Sequence, residues 1–375
     1  MAISARAREL QDMGRHVIAF AAGEPDFPTP EHITAAAARS CNDPANHHYT
    51  ANAGLIELRR AIADYTNTYS GVPVDAAEVV VTNGAKQAVY QTFAALIDPG
   101  DEVLLPSPHW VTYPSGVELS GGVAVPIPTT MEEGFKVSVE TLERYRTDRT
   151  KMLIFVSPSN PTGAVYTAEE ARAIGEWARD AGIWVMADEI YQRLDYETSV
   201  SPSIVAETAR FENWILVNGV AKSYAMTGWR VGWMVGPKDV IDAAARHQSH
   251  ATSNVGNVAQ HAALAALTGS QESVVKMRDA FNRRRKLMFE MVSALDGVRC
   301  LEPRGAFYVF PDVTDLLGDR WATSNDFATA AIEEAAVALV PGESFGAPGF
   351  VRLSYATSDA DIEQGMSRIA ALIRG

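Results

Sequence analysis

A lysine that works as a nucleophile must give up its proton near neutral pH, and surroundings without water push it that way. Lys222 fits that description, with Val220, Ala221, Tyr224, Ala225 and Met226 around it in the stretch VNGVAKSYAMTGWRVGW, from Val217 to Trp233. The stretch reads as the end of an apolar strand (Ile215 to Val217), a glycine-bearing turn, the lysine, and then Arg230 entering a second apolar strand, Val231 to Val235. A desolvated lysine amine is what condensation with a carbonyl requires. A single lysine in a loop means little alone, and its weight comes from three other stretches. SPSNPTG, Ser157 to Gly163, follows the apolar run Met152 to Val156 and so puts Asn160 at a strand's C-terminal end, where open α/β sheets bind ligands. Ile183 to Asp188 is a second apolar run ending in a carboxylate, with Tyr191 three residues on. A carboxylate buried there requires a cationic partner, and a protonated pyridine nitrogen would serve. VVVTNGAKQAVY, from Val79 to Tyr90, reads as strand, glycine turn and helix start, which offers the amides of Gly84, Ala85 and Lys86 to an anion such as phosphate.

A lysine for a Schiff base, an acid for a pyridinium, donors for a phenolate oxygen, and an anion cradle that includes Arg230 together describe a site for pyridoxal 5'-phosphate. AKSYAMTGWR, NPTG and DEIY stand in the order and separations of a known family. On these motifs, and from GEPDF at Gly23 to VRLSYAT ending at Thr357, the chain resembles the class I aminotransferases of fold type I, most nearly their bacterial aspartate and prephenate branch.

That resemblance implies an α/β fold: a large domain with a mostly parallel seven-stranded sheet flanked by helices, and a smaller α+β domain. It implies roles for residues that spacing alone leaves ambiguous. Gly23 lines the substrate site. Trp110 in SPHWVTY stacks on the pyridine ring, Asn160 and Tyr191 hydrogen-bond the ring oxygen, and Asp188 holds the ring nitrogen protonated. Tyr49 reaches the cofactor phosphate of a neighbouring subunit, so the active sites of a homodimer are shared. Lys86 reaches the distal carboxylate of a dicarboxylic substrate. Arg352 sits in an apolar strand with no acid nearby in sequence, and the resemblance gives it the substrate α-carboxylate, bound bidentately. The implied activity is transfer of an amino group from aspartate or glutamate to 2-oxoglutarate or oxaloacetate by a ping-pong mechanism. Prephenate or aromatic amino acid transamination is the alternative, since prephenate also carries a distal carboxylate. A non-catalytic regulatory module is the reading from another class, and such modules append a DNA-binding domain for which this chain has no room.

Two departures from the family stand out. The chain opens directly on a helical pattern, MAISARARELQDMG, where relatives carry an extra arm. The serines that relatives place immediately before the lysine, or three residues before it, are here Ala221 and Gly219. Phosphate binding then leans on Arg230, the amides of Gly84 to Lys86, and Tyr49, with Ser223 a substitute only if the backbone turns it inward.

The elements that must position these residues follow from the chain order. Its 375 residues, 47% hydrophobic, leave room for two domains: an N-terminal segment 1–28 packing with the small domain, a large domain 29–270, and a bridging helix with the small domain, 271–375. Helices are expected over Pro30–Ser40, Ser138–Arg146, Thr167–Gly182, Asp239–His250, Asn257–Leu267, Gln271–Leu295, Asn325–Ala335 and Asp359–Arg374. Short strands are expected over Ala306–Phe310, Val337–Val340 and Phe350–Leu353. A net charge of −14 argues against nucleic-acid binding. Two cysteines, Cys41 and Cys300, make no disulfide framework, and no run is apolar enough for a signal peptide or a membrane span, so a cytoplasmic protein is expected. The pair His47 and His48 has no ligand-spaced partners, and no metal is expected.

Overall fold

The computed structural model describes residues 2–209 and 211–375. Its strands are β1 (Ile18–Ala19), β2 (Val79–Thr82), β3 (Glu102–Ser107), β4 (Val123–Pro128), β5 (Thr150–Val156), β6 (Trp184–Asp188), β7 (Trp214–Gly219), β8 (Gly232–Val235), β9 (Tyr308–Val309), β10 (Val337–Ala338), β11 (Val340–Pro341) and β12 (Val351–Ser354). The helices are α1 (Ala2–Asp12), α2 (Glu31–Cys41), α3 (Ile56–Tyr65), α4 (Ala85–Leu96), α5 (Thr112–Leu119), α6 (Val139–Tyr145), α7 (Ala168–Asp180), α8 (Ile204–Glu207), α9 (Lys238–Ala251), α10 (Asn257–Thr268), α11 (Glu272–Ser293), α12 (Ser324–Glu333) and α13 (Asp359–Arg374).

Seven strands form one sheet in the order β2-β8-β7-β6-β5-β3-β4. All neighbours are parallel except β8, which runs antiparallel to both β2 and β7. The fold is thus α/β with a mostly parallel seven-stranded sheet. Its central strands β6 and β7 are almost wholly buried, as both faces of the sheet are covered by helices. That explains why these strands read as continuous apolar runs in the sequence and not as alternating ones. The four-residue strand β8 returns antiparallel beside β7 after the connection Val220 to Val231, which carries Lys222. Its Gly232 lets the chain cross close over α4: a Cβ there would lie 2.5 Å from the Gly84 carbonyl carbon.

The second packing unit is smaller. Strands β11, β12 and β9 form an antiparallel sheet, while β1 pairs in parallel with β10. Their core includes Phe281, Phe307, Phe327 and Ile362. Two expectations need correction here. The run Ala306–Phe310 yields only β9, because Ala306 takes a left-handed φ of 57° and its N–H is bonded to Leu194 O. Val337–Val340 is not one strand, since β10 pairs with β1 whereas β11 pairs with β12. The helices fall within a few residues of expectation, and the Thr167–Glu170 capping box of α7 is present on both sides.

Candidate active site

A cavity of about 390 Å³ lies at the C-terminal ends of β5 and β6, and Lys222, Asp188, Tyr191, Asn160, Trp110, Lys86, Arg230, Arg352 and Gly23 line it. Residues up to 329 positions apart in sequence therefore meet at one place. Of the other expected residues, Ala85 lines the cavity, Gly84 lies against the lining Arg230, and Tyr49 is not among the lining residues and is 90% exposed.

Lys222 follows β7 in a turn and projects among aromatic rings, its Nζ 5.7 Å from the Tyr191 ring centre and 5.6 Å from that of Phe307. It also donates to Gly23 O. Burial, reinforced by the positive charge of Arg352, brings its pKa down to about 8. This amine is deprotonated in a substantial fraction of molecules at neutral to mildly alkaline pH.

Asp188 ends β6 and is buried. Its Oδ2 accepts from the Tyr113 hydroxyl at 2.8 Å and its Oδ1 from Ile190 N–H at 3.1 Å. Burial holds its pKa above the usual carboxylate range despite these bonds and the nearby Lys222. No cationic side chain among the described residues forms an ion pair with it. Its neighbour Glu189 takes the other side of the chain, accepting from Ser70 Oγ at 2.7 Å and Gln192 Nε2 at 2.9 Å, and burial lifts it to about 7. Of the two carboxylates in DEIY, only Asp188 lines the cavity.

Arg352 lies in β12 and is 7% exposed. Its Nη1 donates to Asn160 Oδ1 at 2.8 Å and its Nη2 to Ala21 O at 3.0 Å, and its guanidinium carbon stands 4.4 Å from the Tyr308 ring centre. Nε has no partner, and no carboxylate lies within ion-pair distance among the described residues. A buried guanidinium left in this state is suited to an incoming anion. Asn160 is expected to hydrogen-bond a ring oxygen; with its Oδ1 engaged by Arg352, its amide nitrogen is the donor left for such a ligand.

Arg230 is held differently. It follows a 3-10 turn in the left-handed region, φ 56°, and donates to Thr227 O at 3.0 Å and Asn83 O at 3.2 Å. Gly84, φ 81°, forms the adjoining wall: a Cβ there would lie 2.8 Å from the Arg230 guanidinium carbon. The N–H groups of Ala85 and Lys86 open α4 with no acceptor, whereas Gly84 N–H is bonded to Thr82 O at 2.8 Å, so two of the three expected amides are available. Ala221 lines the cavity without a hydroxyl, and Ser223 is buried off the cavity wall. A serine at the Gly219 position would crowd β8, since a Cβ there would sit 3.0 Å from Gly232 Cα.

Trp110 carries the Lys86 ammonium 4.8 Å from its ring centre and meets Tyr113 edge-on at 5.4 Å. Four polar lining residues escaped the sequence reading, Tyr113, Tyr308, Glu24 and Thr227, along with the apolar Val156 and Ile190. Tyr113 stands three residues after Trp110, at the start of α5, and that helical spacing was the one signal for it. Glu24 lies within GEPDF, and Thr227 Oγ1 donates to its carboxylate at 2.7 Å.

The arrangement fits a phosphorylated pyridine aldehyde. It offers an amine of lowered pKa, a buried acid without a cation, an arginine behind a glycine that any Cβ would block, and two free amides at a helix start.

Comparison with known proteins agrees with this geometry. The family model for aminotransferase class I and II matches residues 15–369. The aspartate aminotransferase of Streptomyces avermitilis is 54% identical over 100% of this chain and 93% of its own length. The aspartate/prephenate aminotransferase of Cereibacter sphaeroides is 43% identical over 100% of this chain and 96% of its own. The crystal structure of the aspartate aminotransferase from Rhizobium meliloti superposes with a TM-score of 0.95 at 38% identity, covering 100% of this chain and 95% of that one. With the family model matched over most of its length and relatives of this identity over all of it, the chain belongs to the class I and II aminotransferases.

Proposed function

We propose that this enzyme is a pyridoxal-phosphate-dependent aminotransferase of the aspartate type, which moves the amino group of aspartate or glutamate to 2-oxoglutarate or oxaloacetate. One observation carries the reading: Lys222, brought to about 8, shares a cavity with a buried carboxylate lacking a cation and a buried guanidinium lacking an anion. The relatives' names, aspartate aminotransferase among them, support the donor.

Lys222 is the attachment point for the cofactor, and Arg230 with the Ala85 and Lys86 amides receives its phosphate. When bound, the cofactor supplies an electron-accepting ring conjugated with a carbonyl carbon. Asp188 holds a proton at the ring nitrogen, and its own burial is compensated by that cation. The Asn160 amide and the Tyr191 hydroxyl donate to the ring oxygen, and Trp110 covers one ring face. Arg352 takes the substrate α-carboxylate in two parallel hydrogen bonds, beside the Gly23 backbone, and Lys86 takes the distal carboxylate. With the substrate so oriented and its amine taking the lysine's place at the carbonyl carbon, the freed Lys222 Nζ would remove the Cα proton and later return one, a role suited to an amine of pKa about 8. The amino group stays with the enzyme as the first oxo acid leaves and passes to the second.

The phosphate site also draws on the partner subunit's Tyr49 in a homodimer; the 90% exposure of Tyr49 in the single chain supports that reach. Residues 29–270 form the cofactor-binding domain, and segments 1–28 and 271–375 form the other; the pairing of β1 with β10 supports this division, and a core drawn mostly from the two terminal segments does so too, though Ile190, Tyr191, Leu194 and Ala225 join it. No helix of the described residues is long and apolar enough to cross a membrane, which is consistent with work in the cytoplasm.

The test is a single-turnover absorbance titration of the cofactor-loaded protein with aspartate, glutamate, phenylalanine, alanine and arogenate, beside Lys222→Ala. Fast conversion by aspartate or glutamate and none in the variant is expected. A dominant response to arogenate would move the assignment to prephenate transamination, and no conversion by any donor would sink the aminotransferase reading.

A further inference from the structure

Behind the lysine stands a pair of tyrosines whose hydroxyls are 2.8 Å apart, Tyr191 and Tyr308, both buried. Tyr191 belongs to the turn after β6 and Tyr308 to β9, so this bond joins the C-terminal end of the large sheet's central strand to the smaller unit. The Tyr308 ring supports the Arg352 guanidinium, 4.4 Å above its centre, and its hydroxyl borders Gly23, where a Cβ would lie 3.4 Å away.

We propose that Tyr308 is a positioning residue that connects the carboxylate-binding Arg352 to the ring-oxygen donor Tyr191. This rests on the aminotransferase reading above. The argument is one of proton counting. A phenol has one proton to donate, and either oxygen of the pair can be the donor. When Tyr191 donates to the ring oxygen, the Tyr191–Tyr308 bond persists only with Tyr308 as donor. Its donation polarises the Tyr191 hydroxyl and strengthens it toward an anionic oxygen. Arg352 acts on the same chain. Burial raises the proton affinity of Tyr308, and the arginine's charge lowers it, making the phenol a better donor while that charge is uncompensated. A substrate carboxylate that neutralises Arg352 therefore weakens the Tyr308 donor, then the Tyr191 donor, and so the stabilisation of the ring oxygen's negative charge. The charged groups facing the tyrosine pair are Arg352, Lys222 and Asp188, with Arg230 and Glu24 on the same cavity wall.

The readout is the visible-band pH titration of the cofactor-loaded enzyme, with and without succinate, a dicarboxylate that has no amino group. Tyr308→Phe keeps the ring beneath Arg352 and deletes only the hydroxyl. The ring oxygen carries most negative charge once the shared proton has left, so a weakened donor there raises the titration midpoint. An upward shift of about half a pH unit is expected in Tyr308→Phe. Succinate should raise the midpoint further in the unaltered enzyme than in the variant. Tyr308→Leu, which also removes the ring, should show the same midpoint shift and in addition a weaker Kd for succinate. An unchanged midpoint with equal succinate shifts in Tyr308→Phe would overturn the connection, as would variants that alter only the succinate Kd. An unaltered protein with no titrating visible band would instead overturn the cofactor reading itself, so the two failures are distinguishable.

Discussion

Arg230 and Arg352 line the same cavity, yet the molecule holds them by different means. Arg230 is exposed and fixed by backbone: its own left-handed φ, two carbonyls, and a glycine whose missing side chain makes room for it. Arg352 is buried and draws support from side chains, the Asn160 amide oxygen and the Tyr308 ring, beside a single backbone carbonyl, Ala21 O, all from distant parts of the chain. The exposed arginine faces a ligand group that stays bound through every turnover, the proposed phosphate. In the proposed mechanism the buried one releases and rebinds a carboxylate each cycle, a contact that low-dielectric surroundings make strong and selective.

The contrast can be broken at either end. The largest effect is expected from Arg352→Gln: kcat/KM for aspartate should fall about a thousandfold, as removal of one partner of a buried charge pair does, while cofactor content stays at the unaltered level. Cofactor loss in that variant would show that the two arginines do not divide the work. Gly84→Ala is the complementary probe. Its Cβ would enter the Arg230 guanidinium and adopt a positive φ, so cofactor affinity should drop about tenfold, measured by equilibrium dialysis, and the melting temperature should fall by a few degrees, on the order of 1 kcal/mol. The smallest and most discriminating effect lies on Lys222. Both arginines hold its pKa down, Arg352 more than Arg230. The neutral amine is the reactive form, so its capture of the free cofactor should speed up as pH rises and level off above about 8. Removing a cation raises the lysine's proton affinity, so Arg352→Gln should move this profile to higher pH, and Arg230→Gln should do so by less. Equal shifts, read by stopped-flow absorbance of the cofactor-free protein, would contradict the ordering.

The same contrast separates what could be read in advance from what could not. The surroundings of Arg230 lie in two adjacent strands and their turns, and VTNGAK and AMTGWR carried the glycine turn, the helix start and the arginine in plain view. What the letters did not disclose was that Gly84 spends its N–H on Thr82. Lys222, Asp188 and Asn160 were legible because a buried strand ending in a polar residue is a local pattern, and the sheet order then brings strand ends together. Arg352 was legible as a cation without an acid. Its partners were not, since Asn160 is 192 positions away and no periodicity reports a contact across that separation. Tyr308 was invisible for the same reason, in an apolar run where a tyrosine looks like core, and Tyr113 had only its spacing from Trp110; the hydroxyl's partner gives each its task.

By itself, then, the amino-acid sequence determined the elements and the chemistry: apolar runs that must be buried on both faces, a capped α7, an amine in dry company and a carboxylate at a strand end. The tertiary structure decided which of two adjacent carboxylates faces the cavity, how Arg352 is supported, how closely Gly219 packs against Gly232, and where the short strands of the smaller unit begin and end. Burial patterns are encoded locally through side-chain type and period. Directional bonds between distant groups depend on how the packed elements meet, and that is settled only when the whole chain closes on itself.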